Sequence, residues 1–162
     1  MLPEVLRDAG ARAGARLKER GETVAVAEGS CGGLVSAALL AVPGASAYYL
    51  GGAVIYTGVA SKALMRGEVD VPPGMRGASE PFVTWLAQSC RRKLDATWGI
   101  GEGGATGPSG NPYGDPPGHV WMAVDGPSGT ATRHLLTNDD DRERNMVAFA
   151  VAALDLLSEQ LR

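Results

Sequence analysis

Thr23-Val24-Ala25-Val26-Ala27, running into Glu28-Gly29-Ser30-Cys31-Gly32-Gly33, decides the fold. The first five residues are apolar and partly β-branched, the pattern of a short strand buried on both faces. Three glycines then allow a tight turn, and Leu34 to Val42 reads as a helix of small residues closed by Pro43-Gly44. A strand that passes through such a turn into a helix belongs to a parallel α/β layer. N–H groups left free at a helix start also favour negative charge. With a hydroxyl and a thiol side by side, this turn is the first place to seek a nucleophile or an anion site.

Working outward, residues 2 to 20 have an amphipathic helical period through Leu2, Val5, Leu6, Ala9, Ala13 and Leu17, ended by Gly21. A second strand is expected over Tyr49 to Thr57 and a short helix over Val59 to Met65. Ser79-Glu80-Pro81 starts another helix, with a serine cap, an acid near the positive end and proline in the first turn. That helix runs to about Leu94, with Val83, Leu86, Ala87, Cys90 and Leu94 facing inward. Ala96 to Gly101 reads as a third strand, entering a glycine- and proline-rich loop from Gly103 to Gly114 that is not regular structure. Gly118 to Val124 and Thr130 to Leu136 form a hairpin, and Asn138-Asp139-Asp140-Asp141 caps a long terminal helix. The order predicts one α/β domain over residues 1–162: a three-layer α/β/α sandwich with a mixed, mainly parallel central sheet.

Bulk properties narrow the function. The formal charge of -3 comes with scattered rather than massed basic residues, which argues against a nucleic-acid surface. No window approaches the ~20 apolar residues of a membrane helix. Glu4, Arg7, Asp8 and Arg12 interrupt any secretory apolar region. Cys31 and Cys90 form neither a disulfide framework nor a metal pattern, so a reduced cytoplasmic setting is expected. The dispersed carboxylates suggest no metal, and Asp139 to Asp141 are read as stabilising a helix start.

Ser30 lies where strand becomes helix, two residues before Gly32, a partial match to the G-x-S-x-G elbow with Glu28 in place of the first glycine. It reads either as a nucleophile or as a cap for orphan N–H groups. Cys31 competes as a nucleophile, since a thiol at a helix start can have a lowered pKa. Only His119 and His134 could partner it, and both fall on expected strands, where a structural role is commoner. Tyr56, near the end of the second strand, and Lys62, just beyond, form a further pair. A base at neutral pH would require Lys62 to give up about 4 kcal/mol of preference for its charged form, which burial supplies and solvent does not. Gly104, Gly107 and Gly110 present backbone N–H groups that either cradle a phosphate or carboxylate or simply shape a loop. No Lys-Ser or Lys-Thr follows them, so this is not a P-loop.

The ordered set of stretches resembles the C-terminal domain of the CinA (competence/damage-inducible protein) family, whose active members are nicotinamide mononucleotide deamidases. It comprises Thr23 to Glu28 before Gly32-Gly33, Val42-Pro43-Gly44-Ala45-Ser46, Gly52 to Thr57, Ser79-Glu80-Pro81, Gly104 to Gly110, and Gly118-His119-Val120-Trp121. The family's first turn reads Glu-Ser-Cys-Thr-Gly-Gly, with the serine as nucleophile. Gly29 occupies that place here and Ser30 follows it. The family lysine falls on Ser61, beside Lys62, and a later loop lysine falls on Asp115. The resemblance implies one of two functions. The first is an amidohydrolase acting on nicotinamide mononucleotide or a related amide. Its catalytic residues would be Ser30, Tyr56 and Lys62; Glu28, Cys31, Gly32, Gly33, Gly104, Ala105, Thr106, Gly107 and Gly110 would bind substrate. The second is a catalytically degenerate member that binds a nucleotide-like ligand or serves as an assembly subunit. It further implies a homodimer, a small-molecule nucleotide substrate and no cofactor.

Overall fold

A computed structural model describes residues 1–162. Five strands, β1 (Val24–Glu28), β2 (Tyr49–Val54), β3 (Trp98–Ala105), β4 (His119–Gly126) and β5 (Gly129–Leu136), form one sheet in the order β2-β1-β3-β4-β5. β1 pairs in parallel with both β2 and β3, whereas β3–β4 and β4–β5 are antiparallel. The sheet is therefore mixed, as expected, but evenly so rather than mainly parallel. The third strand enters an antiparallel hairpin instead of another crossover helix.

Helices cover both faces. α1 (Glu4–Arg20), α2 (Leu34–Leu40) and α5 (Arg142–Gln160) lie on one face; α4 (Glu80–Lys93) lies on the other, and α3 (Gly58–Leu64) follows β2. The main core is on the three-helix side, where 24 buried apolar residues, among them Leu6, Tyr48, Ile100, Met122 and Phe149, form one cluster. A cluster of 8 lies toward α4 and includes Trp85, Leu86 and Cys90. β1 is buried along its whole length, as its continuous apolar run requires. α1 buries Leu6, Ala9, Ala13 and Leu17 at the expected spacing, while Val5 is exposed. Leu94, expected inward, is also exposed, since α4 ends at Lys93. No helix is long and apolar enough to cross a membrane.

The largest departure is in β3, which continues through Glu102-Gly103-Gly104-Ala105 where an irregular loop was expected. Its glycines let neighbouring layers approach. A Cβ on Gly101 would stand 2.0 Å from the Val83 carbonyl oxygen of α4, and one on Gly99 would stand 2.1 Å from that of Ala87. Glycine here allows contact between sheet and helix backbones and does not break the strand. The hairpin and the terminal helix have the expected form; Asp141 caps α5 by accepting the Arg144 amide at 2.8 Å. Ser79 precedes α4 as expected, but its hydroxyl donates to the Arg76 carbonyl and caps nothing.

Candidate active site

β1 has β2 on one side and β3 on the other, so the connections leaving its neighbourhood diverge. Crevices outside the carboxyl ends of parallel strands at such a point are where α/β sheets bind ligands. A cavity of about 350 Å³ lies there. It is lined by Gly29 and Ser30 of the first turn, Ile55 to Gly58 and Ser61 beyond β2, and Met75 to Ala78 with Phe82 around the start of α4. Gly103 and Gly104 of β3, with Asn111 and Tyr113 of the next loop, complete it. The volume suits a small organic ligand.

The turn is held by two buried glutamates that face each other across the β1–β3 ladder, Glu28 and Glu102. Glu28 accepts the Val35 amide at 3.1 Å, the Ser36 amide at 2.9 Å and the Ser36 hydroxyl at 3.0 Å. The residue at the N-cap of α2 is Gly33, which has no side chain to cap with, so Glu28 supplies the negative group from the preceding strand. The Glu28 carboxylate is turned into the fold at this helix start, and the residue does not line the cavity.

Glu102 holds the turn from the other side. One carboxylate oxygen accepts the Gly29 and Cys31 amides, each at 3.0 Å, and the other accepts the Ser30 hydroxyl. Burial pushes its carboxyl pKa up, while the bonds from Ser30 and Cys31 pull it back down. Burial also raises Glu28, against the opposing pull of Ser36 and Val35. A charged residue this deeply buried requires such partners.

Of the residues singled out in the sequence, Ser30 and Tyr56 line the cavity, but the hydroxyl of Ser30 is bonded to Glu102. Tyr56 is exposed, and its hydroxyl accepts from Arg142 at 3.0 Å. Lys62 is exposed on α3 and lies outside the cavity lining, whereas its neighbour Ser61 belongs to it. Successive helix residues point about 100° apart, so one position decides which side chain faces the ligand. Lys62 therefore lacks the burial that a neutral lysine base requires.

Cys31 is fully buried in the main core. Burial, then the charges of Glu102 and Glu28, push its thiol pKa well up, the reverse of an activated thiolate. Cys90 is pushed up to about 12 by burial. Neither thiol should react with iodoacetamide at neutral pH in the native protein, and both should react in denaturant. Mass spectrometry of the alkylated chain checks this; rapid native labelling of Cys31 would return the thiol as a candidate nucleophile.

The Cys31 amide is occupied by Glu102 and the Gly32 amide by the Gly29 carbonyl, so these expected anion donors are already engaged. Gly33 is the N-cap position of α2. Of Gly104, Gly107 and Gly110, only Gly104 lines the cavity, from within β3. The Ala105 carbonyl accepts from Gly118, that of Thr106 from Asn145 and that of Gly107 from Arg142. Those three residues dock the loop against β4 and α5. Gly110 is exposed and outside the lining. The loop contributes Asn111 and Tyr113 to the cavity instead.

Glu102, Arg76 and Arg142 did not emerge from the sequence as site residues. Glu102 had a signal: it is the one charged residue in the Trp98–Ala105 run. Arg76 stands over the Tyr113 ring at 5.0 Å and donates to Asp115 at 2.8 Å. Although burial works against it, bonds from Arg76 and Asn111 hold the Asp115 carboxyl below its ordinary range. His119 and His134 bond to each other at 2.8 Å, and His119 reaches the Ala78 carbonyl at 2.9 Å. They pack behind the cavity wall, and neither lines the cavity.

The family model for the CinA C-terminal domain matches residues 7–161. The chain belongs to the CinA C-terminal domain family. A CinA-like protein of Anaeromyxobacter sp. (strain K) is 42% identical over 149 residues, covering 91% of this chain and 36% of that protein. One from Synechocystis is 35% identical, covering 92% and 36%. The chain thus spans about a third of the length of the curated relatives it matches. Among solved structures, competence damage-inducible protein A of Klebsiella pneumoniae has a TM-score of 0.88 at 27% identity, covering 96% of each chain. A competence/damage-inducible protein of Agrobacterium tumefaciens has a TM-score of 0.89 at 23% identity, covering 99% and 98%, a likeness of fold. On the turn, a Cβ on Gly29 would lie 3.0 Å from the Ile55 carbonyl oxygen. The neighbouring Ser30 lines the cavity.

Proposed function

We propose that this CinA-type domain is an amidohydrolase that releases ammonia from the carboxamide of nicotinamide mononucleotide or a closely related nucleotide amide. The observation that carries the reading is Ser30: a hydroxyl on the strand-to-helix turn, lining a ligand-sized cavity at the carboxyl ends of parallel strands. Ser30 Oγ attacks the carboxamide carbon, ammonia departs to leave an ester on Oγ, and water cleaves that ester to the carboxylic acid. The Ser30 amide has no acceptor within the chain, which frees it to donate to the oxyanion. Tyr56 accepts its bond from Arg142 through the phenolic oxygen, leaving its own O–H free to hold the carboxamide in place. Arg76 is the only cationic side chain lining the cavity and is assigned the nucleotide phosphate, which would displace Asp115 from it. The purified protein should convert nicotinamide mononucleotide to its acid with one ammonia per turnover, measured by coupled ammonia assay. No release above the uncatalysed rate would overturn the reading.

A second reading, a binding domain without turnover, is favoured by one observation: Ser61, not Lys62, faces the cavity. Calorimetric binding of nicotinamide mononucleotide without ammonia release would select it.

A further inference from the structure

The proposed hydrolysis leaves one chemical need unmet. A serine hydroxyl attacks an amide only if a base takes its proton, and Lys62 lies outside the cavity. We infer that Glu102 is the catalytic base for Ser30, so that a buried serine–carboxylate dyad stands in the place of a serine–lysine pair. The inference rests on the hydrolase reading for its substrate, but not for its geometry.

Three observations carry it. The Ser30 hydroxyl donates directly to one Glu102 oxygen. The other oxygen accepts the Cys31 amide at 3.0 Å and shares the Gly29 amide with the Glu102 backbone carbonyl, which leaves one carboxylate oxygen to Ser30. Glu102 is fully buried on the central strand pairing, opposite Met122 of β4, whereas Ser30 is only half-buried and reaches the cavity. The base is thus shielded from water while the nucleophile meets the ligand, the arrangement in which a carboxylate is a stronger base than in water. The ionisable groups facing it are Ser30 and Cys31 from the turn and Glu28 from β1.

The step balances as follows. The Oγ–H proton passes to Glu102 as the Oγ–C bond forms. That proton then goes to the amide nitrogen as the C–N bond breaks and ammonia leaves. Water next gives a proton to Glu102 and its oxygen to the ester carbon, and the Glu102 proton returns to Oγ as the acid departs.

A fluorophosphonate probe tests the dyad apart from the substrate. Oγ attacks phosphorus and fluoride leaves, with the same proton first passing to Glu102. Mass spectrometry should find the probe on Ser30 of the wild-type protein. Glu102→Gln should label at least about 100-fold more slowly, with unchanged circular dichroism and melting temperature. Equal rates in the two proteins, or no labelling of Ser30, would overturn the inference. Should Glu102→Gln fail to fold, the wild-type pH profile decides: labelling accelerates as the carboxyl ionises and levels off once it is fully ionised. A rate still climbing about tenfold per pH unit above that point would also overturn it. Glu102-dependent labelling without ammonia release from nicotinamide mononucleotide would sustain the dyad and remove only the proposed substrate.

Discussion

Ser30→Ala should lower kcat for ammonia release by at least about 10³-fold while leaving the affinity for nicotinamide mononucleotide within about threefold. The other candidates on the turn cannot take over the attack. Gly29 has no side chain, and the thiol of Cys31 is buried and its pKa is pushed up. The substitution also removes the hydroxyl that Glu102 accepts, leaving one buried carboxylate oxygen without that donor. A loss of about 1 kcal/mol of stability should accompany it. Melting temperature and calorimetric binding must therefore be measured beside activity. A folded, ligand-binding Ser30→Ala protein with wild-type ammonia release would exclude Ser30 as the nucleophile. Loss of binding in parallel with loss of turnover would instead indicate a serine that merely shapes the turn.

Gly101→Ala should cost about 3 kcal/mol or more of folding stability. The added Cβ would stand 2.0 Å from the Val83 carbonyl oxygen and 2.8 Å from the Ala87 amide nitrogen. Both atoms are helix backbone, so no side-chain rotation relieves the clash, and α4 must move bodily off the sheet. For a chain of this size the loss corresponds to a fall in melting temperature of roughly 6–12 °C. Gly58→Ala is the control, since nothing lies within 4 Å of a Cβ there. It should change stability by less than about 0.5 kcal/mol. Equal melting temperatures for the two variants would show that α4 and β3 are not packed backbone to backbone.

Much of the architecture was legible because it is local. Continuous apolar character marked β1, helical periodicity marked α1, and the Asp125 to Gly129 segment marked the hairpin turn. The end of β3 was misread because glycine signals both a turn and a close approach, and only the position of α4 separates the two. Ser30 and Tyr56 were both placed at the cavity. Lys62 lies one helix position from the cavity-lining Ser61, a change of about 100° that no propensity scale resolves. Glu28 and the glycine loop were read as ligand contacts because a carboxylate or an amide looks alike in sequence whether it faces a ligand or its own chain.

The opening turn separates the two sources of information. By itself the sequence determined that a strand ends there, that a helix begins at Leu34, and that a hydroxyl and a thiol sit between them. These are consequences of backbone freedom and apolar spacing within about ten residues. Tertiary structure alone decided which hydroxyl is engaged and that both thiols are buried. The carboxylate that holds the turn lies 72 residues along the chain from Ser30, and the ladder between β1 and β3 brings it there. Parallel pairing places Glu28 opposite Glu102, and burial turns that register into chemistry: one carboxylate caps a helix and the other holds the serine.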